Sequence, residues 1–175
     1  MSIPEVSALL SHTDSLFRYG MALSRNVAAA EDLVQETILR ALSAKRPPEP
    51  GSNHKSWLFT ILRNIWLNEL RKGRWISQSL DAEPGEAALD TPAATDGDPH
   101  RHYISKLEVS QVRDAIQQLP TEFREIVMLR EYEDLSYQEI AEFLKCPVGT
   151  VMSRLARARS RLRTILSAQQ ATASR

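Results

Sequence analysis

The stretch Leu135-Ser-Tyr-Gln-Glu-Ile-Ala-Glu-Phe-Leu-Lys-Cys-Pro-Val-Gly-Thr-Val-Met-Ser-Arg-Leu155 decides how the C-terminal part of this chain folds. Ser136 and Glu139 are a hydroxyl and a carboxylate at the spacing that closes the first turn of a helix reciprocally. The helix they begin ends near Leu144. Lys145-Cys-Pro-Val148 forms a turn, and Gly149 or Thr150 starts a last helix. Two helices around a four-residue turn are a helix-turn-helix pattern. At about 100° per residue, Val151, Leu155, Ala158, Leu162, Ile165 and Leu166 share one arc of the last helix, which is its core face. Arg154, Arg157 and Arg161 lie on one flank, and Arg159 and Arg163 lie on the other. Thr150, Ser153, Ala156 and Ser160 point outward between them. Small residues there let the backbone approach a groove floor, and the arginines are placed for phosphates or the acceptor edge of guanine. Cations near a helix C-terminus are ordinary and would also suit a solvated helix end. The capped helix and turn in front of them favour duplex binding.

Charge agrees with that reading. The whole chain is neutral, with 22 basic and 22 acidic residues, yet residues 149–175 hold six Arg and no acid. Residues 1–75 are net +3, residues 76–105 net −5 and residues 106–148 net −4. Two basic ends around an acidic middle suggest two nucleic-acid surfaces on one chain.

Residues 77–105 contain Pro84, Gly85, Pro92, Gly97 and Pro99 and show no apolar period, so a flexible acidic linker is expected there. It divides an N-terminal domain, 1–76, from a C-terminal domain, 106–175. In the first domain one helix is expected from Val6 to Ser24. A second follows Asn26, a good cap, and runs to about Ala44. Its buried stripe is Ala30, Leu33, Val34, Thr37, Ile38, Ala41 and Leu42. Pro47, Pro48 and Pro50 interrupt, and a third helix runs from about Ser56 to Arg74. In the second domain Val109, Val112, Ile116 and Leu119 give one stripe, ended by Pro120. Phe123, Ile126, Val127 and Met128 give the next, ahead of the helix-turn-helix. The fold class is all-α: two small helical domains joined by the linker.

Enzyme classes are disfavoured. There is no phosphate-cradling glycine loop, GxSxG or HExxH. Adjacent acids such as Glu31-Asp32 and Glu133-Asp134 read as caps and surface. With one cysteine, Cys146, and four scattered histidines, neither an internal disulfide nor a zinc site is expected, and no cofactor is. No secretory signal and no run of 18 apolar residues is present, so a cytosolic location is expected.

Two further surfaces stand out. The third helix sets Arg63, Asn64, Asn68, Arg71 and Lys72 beside Trp57 and Trp66, a mixture suited to single-stranded nucleic acid if the tryptophans face outward, although each reads better as core. The second helix places Asp32, Gln35, Glu36, Leu39 and Ser43 opposite its stripe. Leu39 is then apolar in an acidic surround, a possible protein-docking face.

Taken in order, Glu31-Asp-Leu-Val-Gln-Glu-Thr-Ile-Leu-Arg-Ala-Leu42, Trp57-Leu-Phe-Thr-Ile-Leu-Arg-Asn64, Leu119-Pro120, Leu135-Ser-Tyr-Gln-Glu-Ile-Ala141 and Pro147-Val-Gly-Thr-Val-Met-Ser-Arg-Leu-Ala-Arg-Ala-Arg159 resemble the extracytoplasmic-function sigma factors of bacterial RNA polymerase. The resemblance implies that Asp32, Gln35, Glu36 and Leu39 dock on the clamp of the polymerase largest subunit. It implies that the loop from about Ser52 to Ser56, with Arg63, Asn64, Asn68 and Arg71, opens the minus-ten promoter element and captures an unpaired base. Thr150, Ser153, Arg154, Arg157 and Arg161 would read the minus-thirty-five element as duplex. The partners it implies are core RNA polymerase, promoter DNA and an anti-sigma factor, with no direct membrane insertion. Position 152 is Met where relatives often carry Lys or Arg, and position 156 is Ala where some carry a larger side chain, so the promoter sequence cannot be copied from them. The alternative is a stand-alone helix-turn-helix regulator, which would dimerise and bind a palindromic site unaided.

Overall fold

The computed structural model describes residues 9–45, 48, 53–73 and 109–173, and every regular element among them is helical. The expected linker, the Pro47 and Pro50 positions, Ser52 and Arg74 lie outside the described residues. The chain divides into two units, Met1–Ala87 and Ala88–Arg175.

In the first unit, α1 spans Thr13–Ser24, α2 Val27–Leu42 and α3 His54–Arg71. The expectation of one unbroken first helix is corrected at 11–12, where a turn separates the helical pair 9–10 from α1. The Thr13 hydroxyl donates to the Leu10 carbonyl at 2.7 Å, and such local bonds compete with the helical ladder. α1 ends on Arg25, in the left-handed region with φ 59°, whose N–H donates to the Met21 carbonyl. Asn26 then caps α2 by accepting from the Ala29 N–H at 2.9 Å. Asn53 caps α3 in the same way, accepting from the Ser56 N–H at 3.0 Å. That cap starts α3 two residues earlier than the apolar pattern suggested.

The three helices pack on one another. Leu16, Tyr19, Leu33, Leu58, Phe59 and Leu62 are fully buried, and the Tyr19 and Phe59 rings stack at 4.9 Å. Burying each such side chain contributes about 1.5–3 kcal/mol. A Cβ on Gly20 would lie 3.3 Å from Ala30 Cα and Cβ, so α1 and α2 approach closely there. Most of the predicted α2 stripe is buried, including Thr37, whose hydroxyl donates to the Leu33 carbonyl at 2.6 Å. Leu42 is a correction: it is 41% exposed.

In the second unit, α4 covers 109–117, α5 is Thr121–Val127, α6 is Tyr137–Leu144 and α7 is Val148–Ala173. α7 starts at Val148, slightly before the expected Gly149 or Thr150. α5 continues into a π turn, Met128–Tyr132, which the apolar stripe did not foretell. Both α5 and α6 pack against α7. Arg124 is 1% exposed; its guanidinium donates to the Leu119 carbonyl at 2.7 Å and to the Thr121 hydroxyl at 3.1 Å. It ties the end of α4 to the start of α5. Glu133, expected at the surface, is buried.

Candidate nucleic-acid and protein interfaces

α6 and α7 are set by local chemistry. The Ser136 hydroxyl accepts from the Glu139 N–H at 3.2 Å, and the Glu139 carboxylate accepts from the Ser136 N–H at 2.7 Å. Hydrogen bonding to the carboxyl from the Ser136 side chain first, and then from the Ser136 backbone N–H, holds Glu139 below its ordinary pKa. Lys145 turns the chain with φ 53°, and the Cys146 N–H donates back to the Ala141 carbonyl at 3.0 Å. This left-handed C-cap closes α6. α7 then buries Val151, Leu155 and Ala158, while Leu162, Ile165 and Leu166 are half-buried.

The outward face of α7 carries Met152, Ala156, Arg157 and Ser160 exposed, with Thr150 and Ser153 half-buried. The Ser153 hydroxyl donates to the Thr150 carbonyl at 3.0 Å. The two arginine flanks have different neighbours. Arg154 Nε lies 3.8 Å from Glu122 Oε2 on α5, and the Arg161 guanidinium lies 5.0 Å from the centre of the Phe123 ring. On the other flank, Arg159 Nη2 meets Glu131 Oε1 of the π turn at 2.7 Å. That hydrogen bond, followed by the charge of Glu131, raises the Arg159 pKa. Arg130 donates to the Leu135 carbonyl at 2.9 Å and sits over the Tyr137 ring, joining the π turn to α6. Neither Glu131 nor Arg130 was legible as a brace in the sequence, because only the π turn brings them against α6 and α7.

On α3, Asn64, Asn68 and Arg71 are exposed and Arg63 is half-buried. Arg71 Nη1 donates to Asn68 Oδ1 at 3.3 Å, and Lys72 pairs with Glu69 at 3.1 Å. Trp66 is core at 5% exposure, and Trp57 is half-buried. The polar face of α3 is therefore made of amides and guanidinium groups, with Trp66 removed from it.

On α2, Asp32, Gln35 and Leu39 are exposed, and Glu36 is held by Arg40 at 2.7 Å. Leu39 is 60% exposed and Leu42 41% exposed, three residues apart on one face. Sequence reasoning assigned Leu42 to the core and so missed half of this apolar pair. No group of three or more His, Cys, Asp or Glu side chains among the described residues could hold a metal ion. No described helix is long and apolar enough to cross a membrane.

Two family models match separate parts of the chain. The family model Sigma-70 region 2 matches residues 9–76, and Sigma-70, region 4 matches residues 110–162. The ECF RNA polymerase sigma factor EcfG of Rhodopseudomonas palustris (strain TIE-1) is 37% identical over 158 residues, 90% of this chain and 82% of that protein. The ECF RNA polymerase sigma factor SigW of Bacillus subtilis (strain 168) is 31% identical over 156 residues, 87% of this chain and 83% of that protein. Among solved structures, the sigma factor RpoE in complex with the anti-sigma factor NepR from Bartonella quintana matches with a TM-score of 0.68 and 33% identity, over 92% of this chain and 95% of that one.

Proposed function

Because this chain belongs to the extracytoplasmic-function sigma factors, which direct promoter recognition and transcription initiation by RNA polymerase, we propose that its three surfaces meet three different partners. Its role is binding, with no chemistry of its own. The α2 face, with Asp32, Gln35, Glu36 and the Leu39–Leu42 pair, docks on the clamp of the polymerase largest subunit. The α3 face, with Arg63, Asn64, Asn68 and Arg71, holds the opened minus-ten element. α7, with Thr150, Ser153, Arg154, Arg157 and Arg161, lies in the major groove of the minus-thirty-five element. Residues 1–76 and 106–175 are the two working domains, and 77–105 links them. The chain works where the polymerase does, in the cytoplasm. An anti-sigma factor is a further partner, supported by the relative solved with one.

The observation that carries the assignment of α7 is a surface with no acid of its own from Val148 to Ala173, small residues along its outward line and Arg157 exposed on the flank beside them. A capped helix and tight turn present that surface to a groove. Each unit makes few phosphate contacts, so isolated affinity for DNA is weak. Anchoring to polymerase raises the effective concentration of both units at the promoter.

Reconstituted polymerase on a responsive promoter tests the division. Asp32→Arg and Leu39→Ala reduce pull-down of core polymerase. Arg63→Ala with Asn64→Ala retains the upstream footprint but loses permanganate reactivity of the opened strand. Arg154→Ala with Arg157→Ala loses the upstream footprint while still binding polymerase. Loss of polymerase binding by the α7 variants, or unchanged pull-down by both α2 variants, overturns the corresponding assignment.

A further inference from the structure

We propose that Glu122 is an internal counter-ion of the duplex-reading helix: its carboxylate competes with DNA phosphate for Arg154 and so sets the strength and salt dependence of duplex binding. The proposal rests on α7 being that helix. Glu122 stands in the first turn of α5, and its Oε2 lies 3.8 Å from Arg154 Nε, with the two side chains 55% and 33% exposed. The next residue, Phe123, lies under Arg161 of the same flank. The first turn of α5 thus holds both ends of the arginine row, and Arg157 between them has no ion pair among the described residues.

An exposed pair at this distance adds little to folding. Its consequence lies at the DNA surface. α7 carries no acid from Val148 to Ala173, so Glu122 brings a negative charge, from outside the helix, onto the edge of the surface at the Arg154–Arg161 flank. When a phosphate takes Arg154, the carboxylate must swing away or remain facing a second anion, and either outcome weakens binding. The opposite flank differs. Glu131 grips Arg159 at 2.7 Å by a charge-assisted hydrogen bond, a firmer contact that suits a brace. Glu122 is loose enough to exchange.

The test uses the full chain and a random-sequence DNA duplex about 30 base pairs long, with binding followed by fluorescence anisotropy from ~50 to ~200 mM salt. Glu122→Gln binds about fivefold tighter at low salt, the effect of one unit charge at this separation near water. Its log–log salt slope is steeper by about one. Arg154→Ala binds more weakly than wild type. In the Arg154→Ala background, Glu122→Gln changes affinity by less than about twofold, and Asp114→Asn, an exposed acid lost from α4, changes wild-type affinity equally little. If Glu122→Gln binds like wild type while Arg154→Ala is weakened, the counter-ion role is refuted and the assignment of α7 stands. A Glu122→Gln gain that persists without Arg154 also refutes it, because the effect is then a general field. Should Arg154→Ala bind like wild type, the reading of α7 fails and the proposal fails with it.

Discussion

Arg124 and Arg154 are the same residue type put to opposite uses. Arg124 is buried and spends its donors on the Leu119 carbonyl and the Thr121 hydroxyl. Arg154 is partly exposed, and its ion-pair partner among the described residues is the loosely held Glu122. Arg124→Met should therefore lower the stability of the C-terminal unit by about 3 kcal/mol, because buried acceptors lose a charged donor. Arg154→Ala should change it by less than about 0.5 kcal/mol. Urea unfolding followed by circular dichroism distinguishes them, and equal effects would contradict these roles. Lys145 gives a second test at this scale. It closes α6 with φ 53°, where a side chain is strained, and Lys145→Gly should stabilise by about 0.5–1 kcal/mol. A lower melting temperature would show that the lysine side chain contributes more than its backbone costs. The position of Arg154 on a flank was legible from helical spacing alone. That of Arg124 was not, because an arginine inside an apolar run is ordinarily assigned to the surface, and only the α4–α5 corner shows where its donors go.

The helices were legible where a cap coincides with a stripe. Asn26 before α2 and Ser136-Tyr-Gln-Glu139 before α6 fixed both starts to the residue. Helix ends and departures from α geometry were less visible: the turn at 11–12 and the π turn depend on local bonds and on packing against α7. The capping box makes a pH prediction. The folded Glu139 carboxyl has its pKa held below the ordinary 4.5, so its contribution is fully present above the unfolded value and is lost as pH falls through the folded one. The stability gap between wild type and Glu139→Gln should be wide at neutral pH and close in acid. A gap that is flat with pH would mean the carboxylate bond to the Ser136 N–H contributes nothing. Ser136→Ala should cost about 1 kcal/mol at neutral pH. On α2, burial divided the predicted stripe and moved Leu42 to the surface beside Leu39. Leu39→Ala should weaken polymerase binding about tenfold, as loss of a buried interface side chain does, with the unfolding midpoint unchanged. A matching loss of stability would make Leu39 a folding residue instead.

At the scale of the whole molecule, the order of the motifs carried the reading. An acidic face around an exposed leucine, an amide–guanidinium face and a cationic helix-turn-helix follow one another along a neutral chain, and each alone would have been ambiguous. What the sequence left open was which arginines are braced and which are available, since that depends on Glu122, Phe123 and Glu131 meeting α7 from other helices. The central claim is that promoter choice comes from the α7 surface working on a polymerase that α2 holds. Run-off transcription with core polymerase and a promoter library tests it most directly, comparing no added chain, the wild-type chain and the Arg154→Ala/Arg157→Ala variant. The account predicts discrete start sites with the wild type only, while the variant still co-elutes with core polymerase. Start-site choice retained by the variant, or a wild-type chain that confers none yet grips a symmetric operator by itself, would contradict it.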